Sequence, residues 1–222
     1  MEHPTLRQLA ARGPRPAAPD VLDAEALGAR VRALGADDVG FVDLADPALD
    51  DQRAEIRAAF PEARAIVVFV VRMARTNVRS PRRSAANAEF HHRTDETVAV
   101  AARLALDLEA RGIGAYYQAP GFPMEMDRFP GRTWVLAFKP LAEAAGLGRM
   151  GIHRNVIHPV FGNFVLIGAV AVVAILGGSL VISTPTASAQ QPEVCYSISV
   201  VHEARYKRVI AMQKAAADSI DL

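Results

Sequence analysis

"KPLAEAAGLGRMGIHRNVIHPVFGNFVLIG", residues 139–168, strings a helix-like segment, a glycine-rich turn and an apolar run together, and its reading decides the fold. Pro140 suits a first helical turn, where a missing N–H breaks no bond. Gly146, Gly148 and Gly151 follow at once. Taken alone they admit a plain reading, a helix C-terminal cap followed by a turn, because glycine takes positive φ at little cost. They also satisfy Gly-x-Gly-x-x-Gly, but a dinucleotide fingerprint opens a helix after a strand, and this one follows a helix. No Gly-Lys-Ser/Thr completes a Walker loop.

Upstream, the strongest signal is "AIVVFVVRM", residues 65–73. It is β-branched and apolar on both alternations, as a strand covered on two faces must be, and it predicts the middle of a sheet. Leu27, Val31 and Leu34 fall at helical spacing before Gly35, and "VGFVDL" from Val39 reads as a strand. "DDQRAEIRAAF" places Ile56 and Phe60 four apart, and Pro61 ends that helix. Residues 95–111 predict a helix with Val98, Ala101, Ala105 and Leu108 on one face and Gly112 as its stop. "IGAYYQ" reads as a strand in which one of Tyr116 and Tyr117 points inward. "APGFPMEMDRFPGR" is a long loop, because its prolines and glycines deny it a ladder, and "TWVLAF" predicts one more strand.

These motifs together resemble the corrinoid-binding domain of the epoxyqueuosine reductase and reductive dehalogenase superfamily. There a PLA-x-x-AGLG-x-x-G segment precedes an FG turn and a strand. "VGFVDL", "AIVVFVVRM", "EFHH" and "FPMEMDRFPGR" stand in the family's order, so the resemblance covers residues 20–168. It implies an α+β fold of the nitroreductase-like corrinoid-binding kind, with a mixed β-sheet around residues 65–73 flanked by helices. It further implies a cobalamin-dependent reductase that holds its cofactor base-off, with no protein ligand on the lower face. Gly146, Gly148, Gly151 and Asn155 would then line the corrin: glycine backbone lies close to the macrocycle, and free amides meet its arms and phosphate. His153 lacks the Asp-x-His-x-x-Gly context of cobalt-ligating proteins, so no metal ligand is expected.

His91 and His92 are candidate proton donors, since imidazole titrates at about pH 6.5; the alternative has one packed before the helix and the other in water. The family's tRNA-epoxide reductases carry an acid one strand before the PLA segment, and Arg132 stands there instead. That departure argues against epoxyqueuosine chemistry and against tRNA as the partner. It leaves Glu125 and Asp127 as the acids near the site, unless they are solvated loop carboxylates. Arg72, Arg75, Arg79, Arg82 and Arg83 gather in "RMARTNVRSPRR", either to grip a phosphate of tRNA or cofactor or as a solvated loop without interleaved aromatics.

The 222 residues suffice for one sizeable domain with an appendage, and a net charge of +1 gives no global pull toward nucleic acid or anionic membrane. A single cysteine, Cys195, excludes an intramolecular disulfide framework and any thiolate cluster held by these residues alone. The family's ferredoxin-like module with its 4Fe-4S clusters is therefore expected to be missing. The chain reads as a truncated reductase-like protein that needs an external electron donor such as a ferredoxin. Residues 1–20 form an expected flexible arm without a secretory core. Residues 21–170 form the corrinoid-binding domain, and 171–222 an atypical tail with an apolar segment. Residues 164–182, uncharged over about the 20 residues a bilayer helix needs, admit two readings. One is a sheet strand to about Val173 in a cytoplasmic protein; the other is a membrane anchor. The strand is preferred, because losing it would expose a sheet edge. The alternative function is a non-catalytic corrinoid-binding or membrane-tethered interaction module.

Overall fold

A computed structural model describes residues 21–119 and 135–177 of the chain. The elements run β1 (Val21–Asp23), α1 (Ala24–Ala33), β2 (Asp38–Asp43), a 3-10 turn (Pro47–Leu49), α2 (Asp50–Ala59), β3 (Ala65–Arg72), α3 (Arg75–Val78) and α4 (Arg83–Ala110). They continue with β4 (Ala115–Tyr117), α5 (Phe138–Ala144), β5 (Arg149–Met150), β6 (Val156–Ile157), β7 (Val165–Val172) and β8 (Ile175–Gly177).

The main sheet has the order β2-β3-β7-β4, and every neighbouring pair in it is antiparallel. The parallel pairing lies outside it, in the small β1–β8 ladder, so the expected mixture of directions is divided between two sheets. Residues 65–73 do form the central strand. Ala65, Val67, Phe69 and Val71 face α1 and α4, packing with Leu27, Val31, Val100, Leu104 and Leu108. Ile66, Val68 and Val70 face α2 and α5, packing with Leu49, Ile56, Leu141 and Leu147. Two covered faces explain why β3 shows no apolar alternation.

β7 lies between β3 and β4, which settles residues 165–172 as strand. Among the described residues no helix is long and apolar enough to cross a membrane. Residues 178–182 of the apolar run, like residues 1–20 and the end of the tail, lie outside the described residues.

Two elements depart from the sequence reading. The long helix begins at Arg83 instead of Asp95, and its fully buried stripe includes Val100 and Leu104 beside Ala101 and Leu108, with Val98 only half-buried. Its first half is polar and mostly exposed, so it carries no apolar period to read. The described part of "TWVLAF" makes no strand, and Phe138 already opens α5. Leu136 instead takes its hydrogen bonds from a side chain: its N–H donates to Gln118 Oε1 and its carbonyl accepts from Gln118 Nε2, each at 3.2 Å. The Gln52 amide oxygen accepts from Ala137 N–H at 3.1 Å. Two amide side chains thus do what a neighbouring strand would do.

Candidate functional site

The glycine turn begins as a helix cap. Gly146 has φ +74°, its N–H donates to the Glu143 carbonyl at 3.0 Å, and Leu147 N–H donates to the Ala142 carbonyl at 2.9 Å. These are the paired bonds of a Schellman motif, with glycine at the left-handed position. Leu147 is buried and anchors the turn under the sheet. The Cβ position of Gly146 faces open space, with nothing within 4 Å.

Gly148 is fixed by a different cause. A Cβ there would lie 2.5 Å from the Ile157 carbonyl oxygen and 2.7 Å from Val156 Cγ1, so the chain can fold back as the β5–β6 hairpin only over glycine. At Gly151 a Cβ would run into the His153 ring. The hairpin closes by Gly151 N–H to the Asn155 carbonyl at 2.9 Å, with Arg154 at φ +61°. Lys139 Nζ donates to the Arg154 carbonyl at 2.7 Å, and Met150 N–H to Glu143 Oε1 at 3.0 Å, which tie the hairpin to α5. His153 sits 3.4 Å from Asn163 Nδ2. Asn155 is exposed.

The same segment exposes apolar side chains: Ile152 is 99% and Val160 72% accessible, and Met150 and Ile157 are also exposed. Exposed apolar groups gathered in one short stretch of sequence are candidates for contact with a ligand or partner.

Beside the hairpin lies a residue that the sequence did not single out. His158 is 1% exposed, and its Nδ1 accepts from Val160 N–H at 3.2 Å and Phe161 N–H at 3.3 Å. With Nδ1 accepting, the proton of the neutral ring is on Nε2, which donates to Asp38 Oδ2 at 3.2 Å. The Phe161 ring stacks on the imidazole at 4.7 Å. The pair, helped by the Val39 N–H and Arg32, lowers the Asp38 carboxyl to a pKa of about 2. His158 therefore ties the FG turn to β2. A histidine before a proline was the only local hint.

A cavity of about 490 Å³ opens where β3 ends, lined by Asp37, Arg72, Arg75, Arg93, Glu96 and Phe164 among others. Its back wall is organised by Glu89, buried on α4. Its Oε1 accepts from Ala74 N–H at 2.6 Å and from Arg93 Nε at 2.9 Å, and these bonds hold its carboxyl below the ordinary range. The Glu89–Arg93 spacing of four on a helix is a signal legible in sequence. His91 and His92 follow on the exposed side of α4, so neither packs ahead of a helix. His91 meets Phe90 edge-on at 5.6 Å, and His92 lies near Glu89. Glu125, Asp127 and Arg132 lie outside the described residues. Tyr116 leans into the core and Tyr117 is exposed.

No family model and no curated protein matches the chain. Solved structures do. A reductive dehalogenase whose structure suggests a mechanism for B12-dependent dehalogenation aligns with TM-score 0.55 and 21% identity, over 75% of this chain and 22% of its own. The catabolic reductive dehalogenase NpRdhA aligns with TM-score 0.51 and 22% identity, over 75% and 22%. Epoxyqueuosine reductase bound to a tRNA stem loop gives TM-score 0.48 and 15% identity, over 70% and 46%. The chain has the reductive dehalogenase fold, in its α+β, helix-flanked form. It spans about a fifth of the length of those dehalogenases.

Proposed function

We propose that this chain is the corrinoid-binding part of a cobalamin-dependent reductase, of dehalogenase-like kind. The observation that carries the reading is the fold shared with a reductive dehalogenase described as B12-dependent. The residues present fit one side of such a cofactor. Gly146 offers open backbone at the turn, and Ile152, Ile157 and Val160 are exposed apolar side chains near it in sequence that could meet a flat macrocycle. Asn155, exposed at the hairpin, supplies an amide for its polar arms. Gly148 and Gly151 act one step back, by letting the hairpin take its shape. Bound base-off, cobalamin supplies the strongly reducing centre of the reaction.

Within these residues the candidate proton donors are Glu125, Asp127, His91 and His92. Electrons come from outside these residues, from a source such as a ferredoxin, since Cys195 alone cannot hold a 4Fe-4S cluster and the residues given span about a fifth of the dehalogenases they resemble. tRNA is not favoured as substrate, given Arg132.

The test is direct binding of cobalamin, followed by its absorption spectrum and by calorimetry. We expect a saturable conversion to the base-off spectrum. Ile152→Glu combined with Val160→Glu should weaken binding about tenfold or more without moving the melting temperature, because both side chains are exposed. Gly148→Leu is not a clean probe, since it breaks the hairpin itself. An unchanged spectrum and a flat trace at high protein concentration would refute the reading.

A further inference from the structure

The arginines at the cavity mouth are not equivalent. Arg72 is held by Asp37, Nε to Oδ1 at 3.0 Å, and Arg93 by Glu89 and Glu96. These pairs neutralise the inner wall. Arg75, the first residue of α3, and Arg79, the residue that caps its C-terminal end, have no carboxylate partner among the described residues. Both guanidinium groups instead lie over the same Phe164 ring, at 5.7 and 5.4 Å from its centre.

Like charges four apart on a helix repel each other, and long arginine side chains lose rotamer freedom when held in one place. Contact with a ring that is itself only 8% exposed restrains both side chains, and both arginines stay exposed to solvent, where a ligand can reach them. Two arginines without a carboxylate partner thus share one ring, Phe164, that lines a cavity large enough for a nucleotide-sized molecule, and Arg75 lines that cavity itself. One carboxylate saturates a single fork, whereas a phosphate presents enough oxygens for two.

We propose that Arg75 and Arg79, braced on Phe164, bind the phosphate group of a small phosphate ester whose remainder enters this cavity. The site uses none of the glycine hairpin, so it stands apart from the cobalamin reading.

The experiment is titration of the full chain with AMP, inorganic phosphate and benzoate at two salt concentrations. AMP should bind more tightly than phosphate, benzoate most weakly, and added salt should weaken all three. Arg75→Gln with Arg79→Gln should raise the AMP Kd at least tenfold. Arg75→Lys with Arg79→Lys, which keeps the charge and loses the forks, should fall between, and Arg57→Gln should bind as wild type. The Gln pair should still change the cobalamin spectrum, which separates this site's failure from that of the cofactor reading. A second measurement needs no variant: AMP should protect Arg75 and Arg79 of the wild type, but not Arg57, from phenylglyoxal labelling read by mass spectrometry. Absence of AMP binding, or binding and labelling indifferent to these two arginines, would overturn the proposal. So would affinity that rises with the length of an RNA oligonucleotide, or AMP displacement by cobalamin but not by cobinamide, since each would assign the phosphate to a different owner.

Discussion

Phe69→Ala is expected to lower the unfolding free energy by about 3–5 kcal/mol, the range for emptying a buried aromatic site. Phe69 is fully buried at the middle of β3 and is the direct cross-strand partner of Gly168 on β7. Its ring lies across that glycine: a Cβ on residue 168 would stand 2.7 Å from Cε2 and 2.9 Å from Cε1. Ring and glycine are therefore complementary halves of one packing unit, and the surrounding strands are too constrained to collapse into the space. Gly168→Ala alone should cost about 1–3 kcal/mol by overpacking. In the double variant the new methyl has room, so the combined loss should be smaller than the sum, with a coupling of about 0.5–3 kcal/mol. Urea unfolding followed by circular dichroism measures all three. Strict additivity would show that the two residues are independent.

His158→Leu should cost about 1–3 kcal/mol. It leaves the Val160 and Phe161 N–H groups of a half-buried turn without their side-chain acceptor and takes the Nε2–H donor from Asp38. His158→Asn, which keeps a side-chain acceptor near the turn, should recover part of the loss. The pH dependence follows from Asp38. Its folded pKa of about 2 lies below the ordinary 3.8, so its contribution to stability is complete above about pH 4 and fades as the pH falls toward 2. In His158→Leu the main cause of that depression is gone, so stability should fall less steeply across the same window. Equal slopes in wild type and variant would contradict the assignment. The effect on the fold should also loosen the FG turn, which Phe161 N–H and the His158–Gly162 backbone pair close.

What the sequence showed and what it hid follow from the range of the forces involved. β3 was legible because burial on both faces writes itself into every position, and β7 because its apolar run had to fill a sheet. Gly146 was legible as a cap, since the left-handed turn is decided within a few residues. Gly148 looked like a place for a ligand to approach, yet it serves the close return of residue 157, a contact that exists only after the hairpin forms. Residues 83–94 escaped notice because a helix whose outer half meets water carries no apolar period. His158 was hidden for a similar reason: its acceptor role depends on two N–H groups of its own turn, but its donor role depends on an aspartate 120 residues earlier. The described part of "TWVLAF" makes no strand because Gln118 substitutes for a ladder at Leu136, and nothing local distinguishes such a glutamine from a solvated one.

The β1–β8 ladder has a mechanical consequence. Val21 pairs with Ile175 and Asp23 with Gly177, both strands running the same way. Tension pulling on the chain before residue 21 and after residue 177 therefore drags the two strands past each other in opposite directions. Their hydrogen bonds are loaded together, in shear, instead of being peeled one at a time. The clasp is short, but the whole four-stranded sheet lies in the loop between its two halves, so a force transmitted along the polypeptide meets this fastening before it reaches the core.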